Sequence, residues 1–125
     1  MEKKLILLEL NEINFDVAKL YINDGENLRG FKKIFESGLK VTNAESAHEN
    51  LEPWIQWPSV HTGKRFDEHR IFRLGDIVNS NESQLFEKIE NNGYEVGAIS
   101  PMNASNKLNR PSYFIPDPWT KTPSD

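Results

Sequence analysis

The chain has no cysteine, which removes disulfides, thiolate nucleophiles and thiolate metal ligands together. It has no basic excess: 15 Lys and Arg face 19 Asp and Glu, a net charge of −4, so there is no electrostatic footprint for nucleic acid or an anionic membrane. Apolar residues make up 37%, below the usual globular share, and no apolar run nears the roughly 20 residues that span a bilayer. The N-terminus (MEKKLILLELNE) starts basic and continues apolar, but it meets Glu9 and Glu12 where a signal peptide would have small cleavage-site residues. A glycine-rich phosphate loop, a CxxC pair and a GxSxG elbow are all missing, as are internal repeats and low-complexity runs. These absences lead to the expectation of a cytoplasmic domain with no nucleic-acid or membrane partner, and 125 residues suit one domain better than two.

Residues 5–10 (LILLEL) form a nearly continuous apolar run, the pattern of a strand buried on both faces of a parallel sheet. Helical spacing follows from Phe15 to Ile22 and is broken by Asn23, Asp24 and Gly25. A second helix is expected after an Asn27 cap, with Leu28, Phe31, Ile34 and Phe35 on one face and Gly38 as its stop. Residues 39–43 read as a short second strand. A third helix, at Trp54 to His61, has to accommodate Pro58. Residues 63–81 show little periodicity.

A clear helix carries Leu85, Phe86 and Ile89, with Ser80 or Asn81 as its cap and Asn91, Asn92 and Gly93 closing it. Residues 94–99 follow at once as a strand. Helix, glycine stop and strand make half of a βαβ unit and favour a parallel sheet. Residues 101–125 hold Pro101, Pro111, Pro116, Pro118 and Pro123 and show no periodicity. The expected division is a compact α/β part over about residues 1–100 and an irregular proline-rich segment after it. That segment reads as a disordered tail, a partner-binding stretch or a loop of a larger protein.

Residues 49–71 stand apart from this framework. They hold Trp54 and Trp57, His61 and His69, a Thr62-Gly63 pair and a Glu68-His69 pair. Trp54 and Trp57, three apart, share a helix face, which more often means core packing than a ligand stack. Gln56 and Ser59 are polar candidates on the same helix. None of His48, His61 and His69 has a tight metal spacing, so hydrogen-bonded loop or helix-end histidines are expected. At the end of the first apolar run, Asn11 and Glu12 stand where open α/β sheets place ligands, and their oxygens suit a hard cation or zinc. The simpler expectation has Asn11 capping the next helix and Glu12 in water.

Several of these features, in one order, resemble the N-terminal part of the alkaline phosphatase superfamily, in its phosphodiesterase and sulfatase-like branch. The features are the first apolar run ending at Asn11-Glu12; Asn27-Leu28 leading to Gly38-Leu39; Pro58-Ser59, Thr62-Gly63-Lys64 and Glu68-His69; and the helix-to-strand unit from Leu85 to Ile99. Glu52 to Trp57 and Pro116 to Trp119 resemble one subgroup of it. The resemblance implies a three-layer α/β/α fold with a mostly parallel sheet. It also implies phosphoryl- or sulfuryl-transfer hydrolysis assisted by zinc, manganese or calcium, with a small phosphoester or sulfoester as substrate.

The departures matter as much. Asn11 stands where the family has a metal-binding Asp, and Arg70 follows His69 where the family has Gly. The nucleophile slot falls near Pro53, and no Ser, Thr or Cys lies between Ser46 and Ser59. Glu52, as base or carboxylate nucleophile, and Ser59, under a shifted register, are the substitutes, with Gln56 beside them. In the family the remaining metal ligands come from the C-terminal half of a much longer chain. The expectation is therefore an N-terminal fragment of a metal-dependent hydrolase, inactive alone and able to self-associate through an unpaired sheet edge. The alternatives are a non-catalytic binding module using the Trp54/Trp57 surface and a small flavodoxin-like domain with a disordered tail.

Overall fold

A computed structural model describes residues 4–124; the first three residues of the basic start and Asp125 lie outside it. The described chain is a small mixed α/β protein with five α-helices and a two-stranded parallel sheet. It divides into two compact units, residues 4–43 and residues 44–124.

The first unit holds α1 (Phe15–Asn23) and α2 (Arg29–Ser37). Asn14 caps α1, its side-chain oxygen accepting from the amides of Asp16 at 2.9 Å and Val17 at 3.1 Å. The sequence pointed to Asn11 for this role, three residues too early. Asn27 does not cap α2 either; its Oδ1 accepts from Arg29 Nε. Gly38 does end α2, at φ 90, a conformation that costs glycine nothing. Phe15 meets Phe31 and Phe35 edge-on, at ring-centre distances of 6.4 and 5.9 Å.

Residues 5–10 and 39–43 form neither strand nor helix, against expectation. A strand needs a ladder partner to satisfy its amides and carbonyls, and the helix pair of this unit offers none. Leu5, Ile6, Leu7, Leu8 and Leu10 are exposed in consequence, and Ala18 is the one buried residue of the unit among those described.

The second unit contains α3 (Pro53–Thr62), α4 (Phe66–His69), α5 (Leu85–Asn91), β1 (Gly97–Ile99) and β2 (Tyr113–Ile115). Pro53 opens α3 at a position where a missing amide hydrogen costs nothing. Pro58 sits inside the helix and leaves the Trp54 carbonyl without its usual amide donor. The side chain of Asn103 supplies the replacement, with Nδ2 donating to Trp54 O at 2.7 Å. Gly63, at φ 71, closes α3. Lys88, from α5, donates its ammonium to the end carbonyl of the buried Thr62 at 3.0 Å.

The helix predicted after Ser80 or Asn81 begins later, because Gln84 serves as its cap. Its amide donates to Glu87 Oε2, while its buried amide side chain pairs with the Ser105 backbone in both directions. The strand predicted over residues 94–99 shortens to three residues.

Its partner lies in the proline-rich stretch. β1 and β2 run parallel with Gly97 opposite Tyr113, Ala98 opposite Phe114 and Ile99 opposite Ile115. Residues 100–112 make the crossover, about as long as a parallel connection needs to be. Phe114 is fully buried and packs edge-on against Phe86, joined by Val96, Ala98 and Ala104, with Leu85, Ile89 and Leu108 at the margin. The compact core therefore continues beyond residue 100, and the reading of a disordered tail does not describe residues 101–124. No helix among the described residues is long and apolar enough to cross a membrane.

Candidate functional site

The polar candidates of α3 occupy three different environments. Glu52 is the exposed N-cap residue, and its side chain makes no capping bond. Gln56 is half-buried, and its amide donates to the Asn50 carbonyl, tying the short helical turn at His48–Asn50 to α3. Ser59 is half-buried and lies 2.9 Å from Nε2 of the buried His69. Of the three, Ser59 alone meets an imidazole. Asn11 and Glu12 belong to the first unit, where Glu12 is exposed with a left-handed φ of 56.

The direction of the Ser59–His69 hydrogen bond decides what the pair can do. His69 ends α4, and its other ring nitrogen, Nδ1, lies 3.0 Å from the backbone nitrogen of Ile71. A backbone N–H can only donate, so Nδ1 must be the bare, accepting nitrogen. A neutral imidazole then carries its hydrogen on Nε2, which donates to Ser59 Oγ. The serine hydroxyl hydrogen turns back toward the Ile55 carbonyl, at 3.5 Å. His69 in this state has no lone pair facing the serine and cannot take its proton, so the pair lacks the activated geometry of a nucleophile and its base.

Charges surround His69. Burial lowers its pKa below the ordinary histidine value, against the opposing pull of Glu82, Glu45 and Glu68, and Lys64 adds to the lowering. Those carboxylates have other work. Glu45 accepts from the Phe66 amide at 2.9 Å, Glu68 from the Arg65 amide at 2.9 Å, and Glu82 pairs with Lys64 at 2.6 Å. The Phe66 ring meets His69 edge-on.

The other α3 histidine, His61, is buried between Trp57, stacked at 5.9 Å, and Phe86 at 5.3 Å. Trp57 is thereby part of an aromatic row running through His61 and Phe86 to Phe114, the packing role expected of it. Of the expected loop or helix-end placements, His61 and His69 take the helix end and His48 begins a short exposed turn.

Sequence reasoning missed Asn103 and Asp117. Asn103 is fully buried at φ 48; its Oδ1 accepts from the Gly75 amide, and Nδ2 donates to both Trp54 O and Arg73 O. Its own amide donates to Asp117 Oδ2 at 2.8 Å, and Asp117 Oδ1 accepts from the amides of Trp119 and Thr120. The available signal was Pro58: a proline inside a helix frees a carbonyl, and a buried carbonyl requires a donor.

The metals implied by the family resemblance find an incomplete ligand set. Among the described residues no three His, Asp or Glu side chains converge as a metal centre, and Asn11 with Glu12 offers only two adjacent residues where a hard cation takes about six to eight oxygens. No protein-family model, curated protein or solved structure matches the chain.

Proposed function

We propose that the chain carries the N-terminal elements of an alkaline phosphatase-like α/β/α hydrolase fold, and that by itself it does not turn over phospho- or sulfoesters. The parallel β1–β2 pair over α5 and the order of the motifs from Pro58 to Ile99 support the lineage, while residues 5–10, its expected first strand, do not form one. One observation carries the absence of turnover: the Ser59 hydroxyl, which meets the His69 imidazole, accepts a hydrogen bond from it instead of giving one. The resemblance puts the nucleophile slot near Pro53, a residue with no hydroxyl. A complete centre needs further carboxylate and imidazole ligands besides Asn11 and Glu12, which the resemblance assigns to a longer chain.

The test is an assay of the purified chain with aryl phosphate, phosphodiester and aryl sulfate, each with zinc, manganese or calcium. The expected result is a rate indistinguishable from buffer. Turnover that disappears in Ser59→Ala or Glu52→Ala, with the fold intact by circular dichroism, would overturn the proposal. The reading extends to assembly. The two-stranded sheet has open edges, and Ile99 and Ile115 are exposed beside them, a surface suited to self-association. Sedimentation velocity at rising concentration should show a growing heavier species; a single unchanging monomer peak would count against it.

A further inference from the structure

The bonds that disarm Ser59 have a second consequence, independent of any hydrolase lineage. His69 is 5% exposed, and in its neutral form it is the acceptor for the amide of Ile71, itself 2% exposed. That bond holds the chain just after α4, where Arg70 sits in the left-handed region at φ 57 without being glycine. A non-glycine side chain in that conformation is strained and persists only where its surroundings hold it. The next left-handed residue is Gly75, at φ 87, so residues 70–75 lie between two such turns. At the far end Asn103 fixes the segment through Arg73 O and Gly75 N. At the near end the His69 ring is the hydrogen-bonding hold on the Ile71 amide.

A second proton on His69 can go only to Nδ1, because Nε2 already carries one. Nδ1–H and the Ile71 N–H would then point at each other, two donors with no acceptor between them. The buried Ile71 amide would lose its partner. Meanwhile the new imidazolium has attractive choices within its surroundings. The charged groups around it are Glu45 in the segment leading to the first turn, Glu68 on α4, Glu82 ahead of α5, and Lys64 in the turn between α3 and α4. Ser59 on α3 is the polar neighbour, and Phe66 packs its ring edge. Three carboxylates against one ammonium favour turning the charged ring away from Ile71 and toward an acid.

We propose that His69 is an acid-released latch: neutral, it pins the Ile71 amide and the start of the 70–75 segment, and protonation at Nδ1 lets that start swing free while Asn103 keeps the other end. The opening exposes the Ile71 side chain and leaves α3, α5 and the sheet in place.

The test uses the full chain and amide hydrogen exchange followed residue by residue by NMR at about pH 8 and about pH 5, on either side of the ordinary histidine range. Rates are expressed as protection factors, so the intrinsic pH dependence of exchange cancels. Protection of the Ile71 amide should fall by about tenfold or more at the acid end, the size of one pK unit of coupling. Protection of the Gly63 amide, which closes α3, should hold. His69→Asn is the diagnostic variant, since its Oδ1 can stand near the Nδ1 position and accept from Ile71 without titrating. There the Ile71 protection should be the same at both pH values. Constant protection in the natural chain, or an equal fall in His69→Asn, would overturn the proposal. If His69→Asn fails to fold, Glu82→Gln decides. It keeps an acceptor for Lys64 but removes a charge that favours the imidazolium, so the midpoint of Ile71 release should move to lower pH, and an unmoved midpoint would overturn the latch.

Discussion

Two buried side chains, His69 and Asn103, do most to fix how the second unit's loops meet α3. Asn103 answers three backbone groups with one amide: the Trp54 carbonyl freed by Pro58, the Arg73 carbonyl and the Gly75 amide. Deleting it orphans buried groups at roughly 1–3 kcal/mol each, partly recovered by water. Asn103→Ala should therefore lower stability by about 3 kcal/mol in urea unfolding; a loss near zero would mean the network carries little. His69 makes a pH prediction. Its folded pKa is depressed by burial, so the unfolded state binds more protons as pH falls. The stability it contributes is present above the ordinary histidine value and is lost as pH drops through the folded one. Unfolding free energy measured across that window should decline on the acid side, and the part due to this residue should vanish in His69→Asn.

At the scale of elements, α3 shows what the sequence could and could not reveal. The helix expected at Trp54 to His61 is observed at Pro53–Thr62, one residue longer at each end, and Pro53 at its start and Gly63 after its end are the local features that set those limits. Gly63→Ala isolates one of them. A Cβ added there meets nothing within 4 Å, so the cost comes from φ 71 alone, about 1 kcal/mol. Thermal unfolding should register that loss without a change in cooperativity; a neutral result would show that the turn relaxes.

β2 was illegible because three residues are too few to display a period and its crossover is irregular. What holds it in register lies elsewhere in the chain. Glu90 on α5 accepts from the amides of Asn109 and Arg110, bonds that also pull its pKa below the usual carboxylate value, and Ser112 donates to Val96 O. Ser59 was legible as a candidate, but its role was not, since that depends on His69, ten positions along the chain, and on the Ile71 amide two residues beyond it. The apolar run at residues 5–10 misled for the complementary reason: its pattern suits a strand, yet strand formation requires partners that the first unit does not contain.

At the scale of the molecule, burial is uneven. The second unit holds the described core and its polar network, while the first exposes Leu5, Ile6, Leu7, Leu8 and Val41 and buries Ala18. Limited proteolysis should cut first within residues 4–43 and leave a fragment beginning near residue 44 that keeps a cooperative melt. Early cuts near Asn109 or Trp119 would contradict that order. What Ser59 can do chemically depends on one hydrogen atom, the one on the His69 ring. If Ser59 is an acceptor toward His69, the pair offers no activated hydroxyl. The two-bond proton–nitrogen NMR spectrum of His69, recorded above the histidine titration range, reads the tautomer directly. A protonated Nε2 and a bare Nδ1 are expected; a bare Nε2 facing Ser59, with the proton on Nδ1, would overturn that assignment and leave His69 able to act as a base.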